Sequence, residues 1–131
     1  MVKLVLVDRH ELVRDCMRSR LENLADISVL HDAPHLDDLL RVLPDVEPDV
    51  AILNSPYPFT SACETFLRIR EVRPDVKIVV LGSNEEATFA RQLLRGGADS
   101  YVLTKAHFSD RIDAIEAVMD DRVYVSPDIA R

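Results

Sequence analysis

The sequence is poor in the residues that bind metals, form disulfides or surround phosphate groups. It contains two cysteines, Cys16 and Cys63, and three glycines. The cysteines are too far apart for a short-spaced zinc motif, and both fall in segments with helical amphipathic spacing, so we expect two buried, reduced thiols. None of the glycines follows the first apolar run, which excludes a Gly-rich phosphate loop at that point.

Basic residues are also in the minority. The chain has 16 Lys and Arg residues against 23 Asp and Glu residues, a net charge of −7. Nucleic-acid phosphates are bound by basic surfaces, so we expect any DNA contact to come from another domain. No apolar run approaches the length of a membrane span, and residues 1–7 lack the basic start of a signal peptide. We therefore expect a cytoplasmic protein.

Short apolar runs alternate with amphipathic segments along the chain. The runs predict strands at residues 2–7, 27–30, 50–53, 77–81 and 101–103. The segments predict helices at residues 10–24, 35–43, 61–72, 83–95 and 109–119. Strands joined by helical crossovers lie parallel. The pattern predicts one α/β domain over residues 1–120, followed over residues 121–131 by the start of a linker or a docked tail.

Capping motifs predict where three of the helices begin. Ser61 with Glu64, and Ser83 with Glu86, have the spacing of a capping box, and Ser109 stands before the last apolar stripe as an N-cap. The proline-flanked stretch 56–58, between the third strand and the third helix, predicts a loop.

Chemically distinctive residues follow four of the predicted strands. They are Asp8, Arg9 and His10 after the first strand, Asn54 after the third, Gly82 and Ser83 after the fourth, and Thr104 and Lys105 after the fifth. Ligands of open parallel sheets bind beyond the carboxyl ends of the strands, so we expect these residues to share one pocket. Asn54 is the most informative of them, because an amide cannot act as a carboxylate. We expect His10 to face water.

Four segments in order resemble the receiver domain of bacterial response regulators, particularly those that precede a LuxR-type helix-turn-helix domain. They are LVLVDRHELVR at 4–14, PDVAILN at 48–54, GADSY at 97–101 and YVSP at 124–127. The resemblance implies a flavodoxin-like (βα)5 three-layer sandwich with a five-stranded parallel sheet in the order 2-1-3-4-5. It also implies two-component or phosphorelay signalling, in a transcription regulator whose DNA-binding domain would follow residue 131.

The chain departs from that family where the chemistry occurs. A receiver that carries phosphate has two acids after the first strand, an aspartate after the third, a threonine or serine after the fourth and a lysine after the fifth. The residues here are, in that order, Asp8, Arg9, Asn54, Gly82 and Thr104. A phosphoacceptor must be a carboxylate nucleophile, and Mg²⁺ needs carboxylate oxygens. The resemblance therefore implies a pseudo-receiver that is not an enzyme, with no aspartyl phosphorylation, no cofactor and no Mg²⁺ site.

Four residues near this pocket have two interpretations each. Ser83 is a helix N-cap or a displaced pocket hydroxyl, and Lys105 is a surface lysine or a displaced pocket lysine. Tyr101 matches the aromatic switch residue of the family, or it is an ordinary half-buried strand tyrosine. Arg9 pairs with Asp8 in the vacated metal position, or it points into solvent.

Two functions fit this sequence. The first is an interaction module that signals through contacts with a protein partner or through a homodimer. The charged residues of the fourth and fifth helices would give the homodimer a charge-complementary surface. The alternative is that these charges are simply solvated. The residues are Arg91 and Arg95 on the fourth helix and Asp113, Glu116 and Asp120 on the fifth. The second is a small-ligand module around Arg9, Gly82 and Thr104, in which the missing side chain of Gly82 opens space.

Overall fold

The computed structural model of the chain describes residues 1–54 and 59–129 and shows a parallel sheet with helices on both faces. The predicted loop at 56–58 lies outside the described residues. The strands are β1 (Val2–Val7), β2 (Ile27–Ala33), β3 (Val50–Asn54), β4 (Lys77–Gly82), β5 (Ser100–Leu103) and β6 (Tyr124–Val125). The helices are α1 (Glu11–Glu22), α2 (Leu36–Val42), α3 (Phe59–Val72), α4 (Ala87–Arg95) and α5 (Phe108–Met119), and a 3-10 turn at Leu43–Asp45 follows α2.

The sheet has the order β2-β1-β3-β4-β5-β6, and every pair of neighbouring strands is parallel. The predicted α/β fold and the order 2-1-3-4-5 are therefore confirmed. All five predicted strands are present, and the two residues of β6 add a sixth strand beyond β5. Two residues carry too little hydrophobic periodicity to be recognised as a strand in the sequence.

Alternate residues of the strands build two apolar layers. On one face, Val5 and Val7 pack with the buried residues of α2, α3 and α4. On the other face, Leu4 and Leu6 pack with the buried residues of α1 and α5. Because both faces are covered, the central strands are continuous apolar runs except near their ends, as parallel strands usually are.

Two aspartates that precede strands tie the amino-terminal edge of the sheet together. The Asp49 carboxylate accepts a hydrogen bond from the Lys3 backbone N–H at 2.9 Å. The Asp99 carboxylate accepts from the Ile78 backbone N–H at 2.8 Å and from the Arg70 guanidinium at 2.6 Å. These carboxylates lie at the opposite end of the strands from Asp8 and Asn54, so they serve the fold rather than the pocket.

Two predicted capping boxes are wrong. Helix α3 begins at Phe59, so Ser61 lies inside it, and its carbonyl oxygen accepts a hydrogen bond from the Thr65 hydroxyl at 2.9 Å. Helix α4 begins only at Ala87, with Glu86 as its N-cap. The segment before it is a loop in which the Asn84 side chain accepts from the Glu86 backbone N–H at 2.9 Å, and this local bond competes with helix formation.

The start of α5 also differs from the prediction by two residues. Its N-cap is His107 rather than Ser109, and the Asp110 carboxylate accepts a hydrogen bond from the His107 backbone N–H at 3.1 Å. The acidic half of a capping motif therefore fixes this end of the helix.

Helix α1 buries a narrower stripe than its apolar spacing predicts. Met17 and Leu21 are its buried residues, whereas Leu12 is 76% exposed. The half-buried Arg14 also belongs to the inner part of this helix, and its guanidinium reaches Asp32 in β2.

Cys16 is exposed and Cys63 is half-buried, so the prediction of two buried thiols is wrong, although both cysteines are free. Among the described residues, no helix is long and apolar enough to cross a membrane.

Candidate functional site

The carboxyl ends of β1 and β3 bring Asp8 and Asn54 into direct contact. Asp8 follows the last residue of β1 and is fully buried, and its backbone N–H donates to the Ala33 carbonyl oxygen at 3.0 Å. Asn54 is the last residue of β3, the strand beside β1. Its Nδ2 donates a hydrogen bond to Asp8 Oδ2 at 2.8 Å. The two pocket residues are therefore joined by a charge-assisted hydrogen bond.

The second oxygen of Asp8 is also occupied. Asp8 Oδ1 accepts a hydrogen bond from the His10 backbone N–H at 2.8 Å, and His10 Nδ1 lies 3.4 Å from the same oxygen. The His10 side chain is 62% exposed, in agreement with the expectation that it faces water. Its backbone contact was not foreseen. Both oxygens of the buried carboxylate thus have donors from the chain itself.

Arg14 fixes the backbone of this turn. Its Nη1 donates to the Asp8 carbonyl oxygen at 2.8 Å, and its Nε donates to Asp32 Oδ1 at 2.9 Å. Arg18 also bonds Asp32. Burial opposes the ionisation of Asp32, but the hydrogen bonds from Arg18 and Arg14 outweigh it and lower the pKa of that carboxyl. Sequence reasoning missed Arg14, whose only signal was its place one helical turn after His10.

Arg9 does not enter the position beside Asp8. Its side chain is exposed, and the ion pairs found within residues 1–54 and 59–129 do not include it. Of its two predicted orientations, the structure therefore has the one toward solvent. The reason is that Asn54 and His10 already supply donors to both oxygens of Asp8.

The space left by the missing side chain of Gly82 is filled by Tyr101. A Cβ built on Gly82 would lie 2.7 Å from Tyr101 Oη and 2.9 Å from Tyr101 Cε1, distances that real Cβ atoms do not show. Tyr101 is fully buried, its hydroxyl donates to the Asn84 carbonyl oxygen at 2.7 Å, and its ring packs edge-on against Phe89. The expectation that Gly82 opens space for a ligand is therefore wrong, and Tyr101 is buried rather than half-buried.

The residues after β5 lie outside the contact between Asp8 and Asn54. Thr104 is exposed, and its backbone N–H donates to the Gly82 carbonyl oxygen at 2.8 Å. Lys105 is exposed and pairs with the Glu85 carboxylate at 2.6 Å, which raises the pKa of the lysine. Ser83 is exposed and lies in the loop before α4. Neither Ser83 nor Lys105 replaces the hydroxyl or the lysine that the family has here.

Arg111 is a further cation near the end of β5 that sequence reasoning missed. Its guanidinium donates to the carbonyl oxygens of Thr104 at 3.0 Å and of Ala106 at 3.2 Å. Burial lowers the pKa of this guanidinium. Its hydrogen bonds go to main-chain oxygens, so we assign it to holding the turn between β5 and α5.

The donor set of this pocket does not suit Mg²⁺. A magnesium ion is usually held by one or two carboxylates together with phosphate oxygens. Asp8 is the one carboxylate in the contact, both of its oxygens accept hydrogen bonds, and one donor is the amide nitrogen of Asn54. Within the described part of the chain, no group of three or more His, Cys, Asp or Glu residues has metal-binding geometry.

The buried phenol of Tyr101 makes a testable prediction about alkaline pH. Burial raises the pKa of Tyr101 to about 12. The ordinary pKa of about 10 holds in the unfolded chain, so stability is complete below pH 10 and is lost as the pH rises toward 12, by about 2–3 kcal/mol in total. The measurement is the ultraviolet absorbance of tyrosinate as a function of pH. Subtracting the curve of Tyr101→Phe from that of the wild type isolates the titration of Tyr101. The subtraction is needed because burial also raises the pKa of Tyr124 to about 12. Titration of Tyr101 near 10 in the folded chain would contradict the buried position.

Comparison with known proteins gives one consistent family. A sequence model of the response regulator receiver domain matches residues 4–116. The response regulator GacA of Pseudomonas aeruginosa is 30% identical over 131 residues, which are 100% of this chain and 61% of GacA. The chain thus spans about three fifths of the length of this relative.

Solved structures agree with the fold. A LuxR-family two-component response regulator from Aurantimonas sp. SI85-9A1 superposes with a TM-score of 0.82 and 25% identity, over 98% of this chain and 92% of that one. A structure of two RcsB dimers bound to two parallel DNAs superposes with a TM-score of 0.83 and 19% identity, over 98% of this chain and 65% of that one. At 19% identity, the second likeness supports the fold alone.

Proposed function

This chain belongs to the response regulator receiver domain family, and we propose that it is a member that signals without aspartyl phosphorylation, through contacts with other proteins. The observation that carries this proposal is the hydrogen bond of 2.8 Å from Asn54 Nδ2 to Asp8 Oδ2. The nitrogen lone pair of an amide is delocalised into its carbonyl group, so Asn54 has no nucleophile to accept a phosphoryl group. The same bond uses the carboxylate oxygen that a metal ion would need.

We propose further that this domain works without a bound Mg²⁺ and without catalytic residues. The exposed Arg9 places a positive charge at the position of the second acid, and the neutral Asn54 replaces the third. Asp8 is then the one anion of the family's acidic set, and a single carboxylate that is already hydrogen-bonded twice gives a divalent cation little to bind.

For partners, we propose a protein or a second copy of this chain, with DNA bound only by a separate domain. The solved relative RcsB forms dimers on DNA, and the net charge of −7 makes this chain itself a poor DNA ligand. The charged residues proposed for a homodimer surface are all exposed: Arg91, Arg95, Asp113, Glu116 and Asp120. Arg91 and Arg95 lie on α4, Asp113 and Glu116 lie on α5, and Asp120 is the C-cap of α5. The two helices cover opposite faces of the sheet.

The test is addition of Mg²⁺ and beryllium fluoride, which together mimic an aspartyl phosphate, followed by amide NMR. We expect the wild-type chain to show no shifts at the resonances of Asp8 and Asn54 in millimolar Mg²⁺, with or without the fluoride. Saturable shifts confined to these residues would overturn the proposal. The matched variant is Asn54→Asp, which restores the missing carboxylate.

The response of Asn54→Asp distinguishes two reasons why the wild-type pocket would not bind Mg²⁺ and beryllium fluoride: the amide of Asn54 and the positive charge of Arg9. A response of this variant alone would assign the loss to the single amide and would make Arg9 unimportant. If the variant fails to respond as well, Arg9→Asp combined with Asn54→Asp tests whether the charge of Arg9 excludes the cation.

A further inference from the structure

Helix α1 and the first turn of α5 border a groove on the face of the sheet that both helices cover. Its volume is about 410 Å³, within the range of small-molecule sites. We call it the α1–α5 groove and define it by Leu12, Val13, Cys16 and Arg20 of α1 and by Phe108 and Arg111 of α5. Neither Asp8 nor Asn54 lines it, so it is separate from the contact between the strand ends.

The side of the groove that α1 supplies is apolar and open. Leu12 is 76% exposed and Val13 is 47% exposed, and Cys16 is exposed one turn after Leu12. Residues one turn apart on a helix form a continuous surface. The part of the amphipathic stripe of α1 that the sheet leaves uncovered therefore borders this groove, where covering it with an apolar group is favourable.

Arg20 brings a guanidinium to the other side of the groove. Its Cζ lies over the Phe108 ring of α5, 4.0 Å from the ring centroid, which is a cation–π contact. A guanidinium over a ring keeps the N–H groups at its edge available for a carboxylate. In the part of the chain that the structure describes, Arg14 and Arg18 of the same helix form ion pairs with carboxylates, whereas Arg20 forms none.

Arg111 adds a second positive charge, and two of its five N–H groups are used by main-chain oxygens. Burial and the nearby charge of Arg20 lower the pKa of Arg111. Asp110 and Asp8 attract it, but each of their carboxylate oxygens already accepts another hydrogen bond. The groove thus has a cationic side at α5 and an apolar side at α1.

We propose that the α1–α5 groove binds a small molecule with one carboxylate and an apolar body, the chemistry of a medium-chain fatty acid. The carboxylate lies between the guanidiniums of Arg20 and Arg111, where it offsets the repulsion between them. The apolar body lies along Leu12 and Cys16 and removes their surface from water. A single carboxylate can meet both cations because both line one groove of this volume.

This inference goes beyond the proposed function and does not depend on it. The groove residues include neither the amide of Asn54 nor its hydrogen bond to Asp8. Failure of the ligand proposal would leave the proposal on phosphorylation unchanged, and a response of the pocket to Mg²⁺ and beryllium fluoride would leave this one unchanged.

The experiment is an amide NMR titration of the full chain with octanoate at concentrations below its micelle formation. We expect saturable shifts at Val13, Cys16, Arg20 and Ala106, with a dissociation constant in the millimolar range or below. Acetate has the charge without the apolar body, and octylammonium has the same body with the opposite charge. Neither should give saturable shifts at these positions at the same concentrations.

Two variants test the two sides of the groove. Arg20→Gln should weaken octanoate binding by about tenfold or more, because it removes a charge-assisted hydrogen bond. Leu12→Asp, at a position on the surface, should abolish binding by placing a carboxylate against the ligand. The matched control is Arg91→Gln, which removes an exposed arginine of α4 on the opposite face of the sheet and should leave the dissociation constant unchanged.

The proposal would be overturned by the absence of saturable octanoate shifts, or by equal shifts with octylammonium. Equal octanoate affinities of Arg20→Gln and the wild type would overturn it too, and so would an equal loss in Arg91→Gln. Binding of an acidic helical peptide to the same residues, without binding of octanoate, would reject the small ligand and make this face a protein-docking surface.

Discussion

Replacing Asn54 by aspartate is expected to lower the free energy of unfolding by about 3 kcal/mol at neutral pH in the absence of divalent cations, the lower end of the cost of leaving a buried charge without its partner. The substitution changes the donor that lies 2.8 Å from Asp8 Oδ2 into a second carboxylate oxygen. Asp8 is fully buried, so its charge is poorly screened by water. The lower end of the range applies because Asn54 itself is half-buried.

The cost should depend on pH in a defined direction. Two facing carboxylates share a proton, which raises one pKa of the pair in the folded state above the unfolded value of about 4. A raised folded-state pKa means that stability is complete below pH 4 and is lost as the pH rises through the raised value. Urea unfolding of Asn54→Asp in EDTA over a pH series measures this loss. The wild-type chain, with an amide at this position, should lack it.

Comparing Asn54→Asp with Asn54→Ala separates the effect of the added carboxylate charge from the loss of the hydrogen-bond donor. Asn54→Ala removes the hydrogen-bond donor without adding a carboxylate, so it should cost about 1–2 kcal/mol and add no pH dependence of its own. Mg²⁺ should restore much of the stability of Asn54→Asp by neutralising the pair, and it should leave Asn54→Ala unchanged. Equal stability of Asn54→Asp and the wild type at neutral pH in EDTA would show that the amide does not stabilise the pocket.

The fold could be predicted from the sequence because its main signal is redundant. Each central strand is an apolar run covered on both faces, and each crossover is an amphipathic segment, so an error at one boundary does not change the topology. Boundaries set by single hydrogen bonds were not predictable in the same way. Ser83 and Glu86 have the spacing of a capping box, but the Asn84 side chain bonds the Glu86 N–H first. Only the three-dimensional structure decides between two such local bonds.

The sequence predicted that Asp8 and Asn54 lie close together, but it did not predict their hydrogen-bond partners or the part that Arg14 takes. The residues at the strand ends follow from the position of each strand, and the structure places Asp8 and Asn54 together. Whether Arg9 turns inward depends on which other donors reach Asp8, and one of these is a backbone N–H, which leaves no trace in the sequence. A missing side chain such as that of Gly82 likewise shows only that space is available, not what fills it.

Gly82→Ala is expected to destabilise the domain by about 2 kcal/mol, the cost of overpacking a filled interior. The backbone is not the obstacle, because a positive φ is found at Gly97 and not at Gly82 among the glycines that the structure describes. The obstacle is the Tyr101 ring, whose Oη and Cε1 lie 2.7 and 2.9 Å from the new Cβ. Urea unfolding measures the effect. Gly96→Ala is the matched control, because its φ of −80° suits alanine, and that change should stay within about 1 kcal/mol of the wild type.

A double-mutant cycle then shows whether Tyr101 is the cause. Tyr101→Leu removes the outer part of the ring and the hydroxyl bond to the Asn84 carbonyl oxygen, so alone it should cost about 3 kcal/mol, as large-to-small core changes do. In that background the added Cβ of Gly82→Ala meets no ring, and its cost should fall to near zero, which gives a coupling of about 2 kcal/mol. Additive costs would mean that the glycine is required for another reason. A full coupling would mean that the Tyr101 ring is what requires glycine at position 82, so that the close approach of ring and backbone next to the Asn84 loop is a packing constraint of this chain.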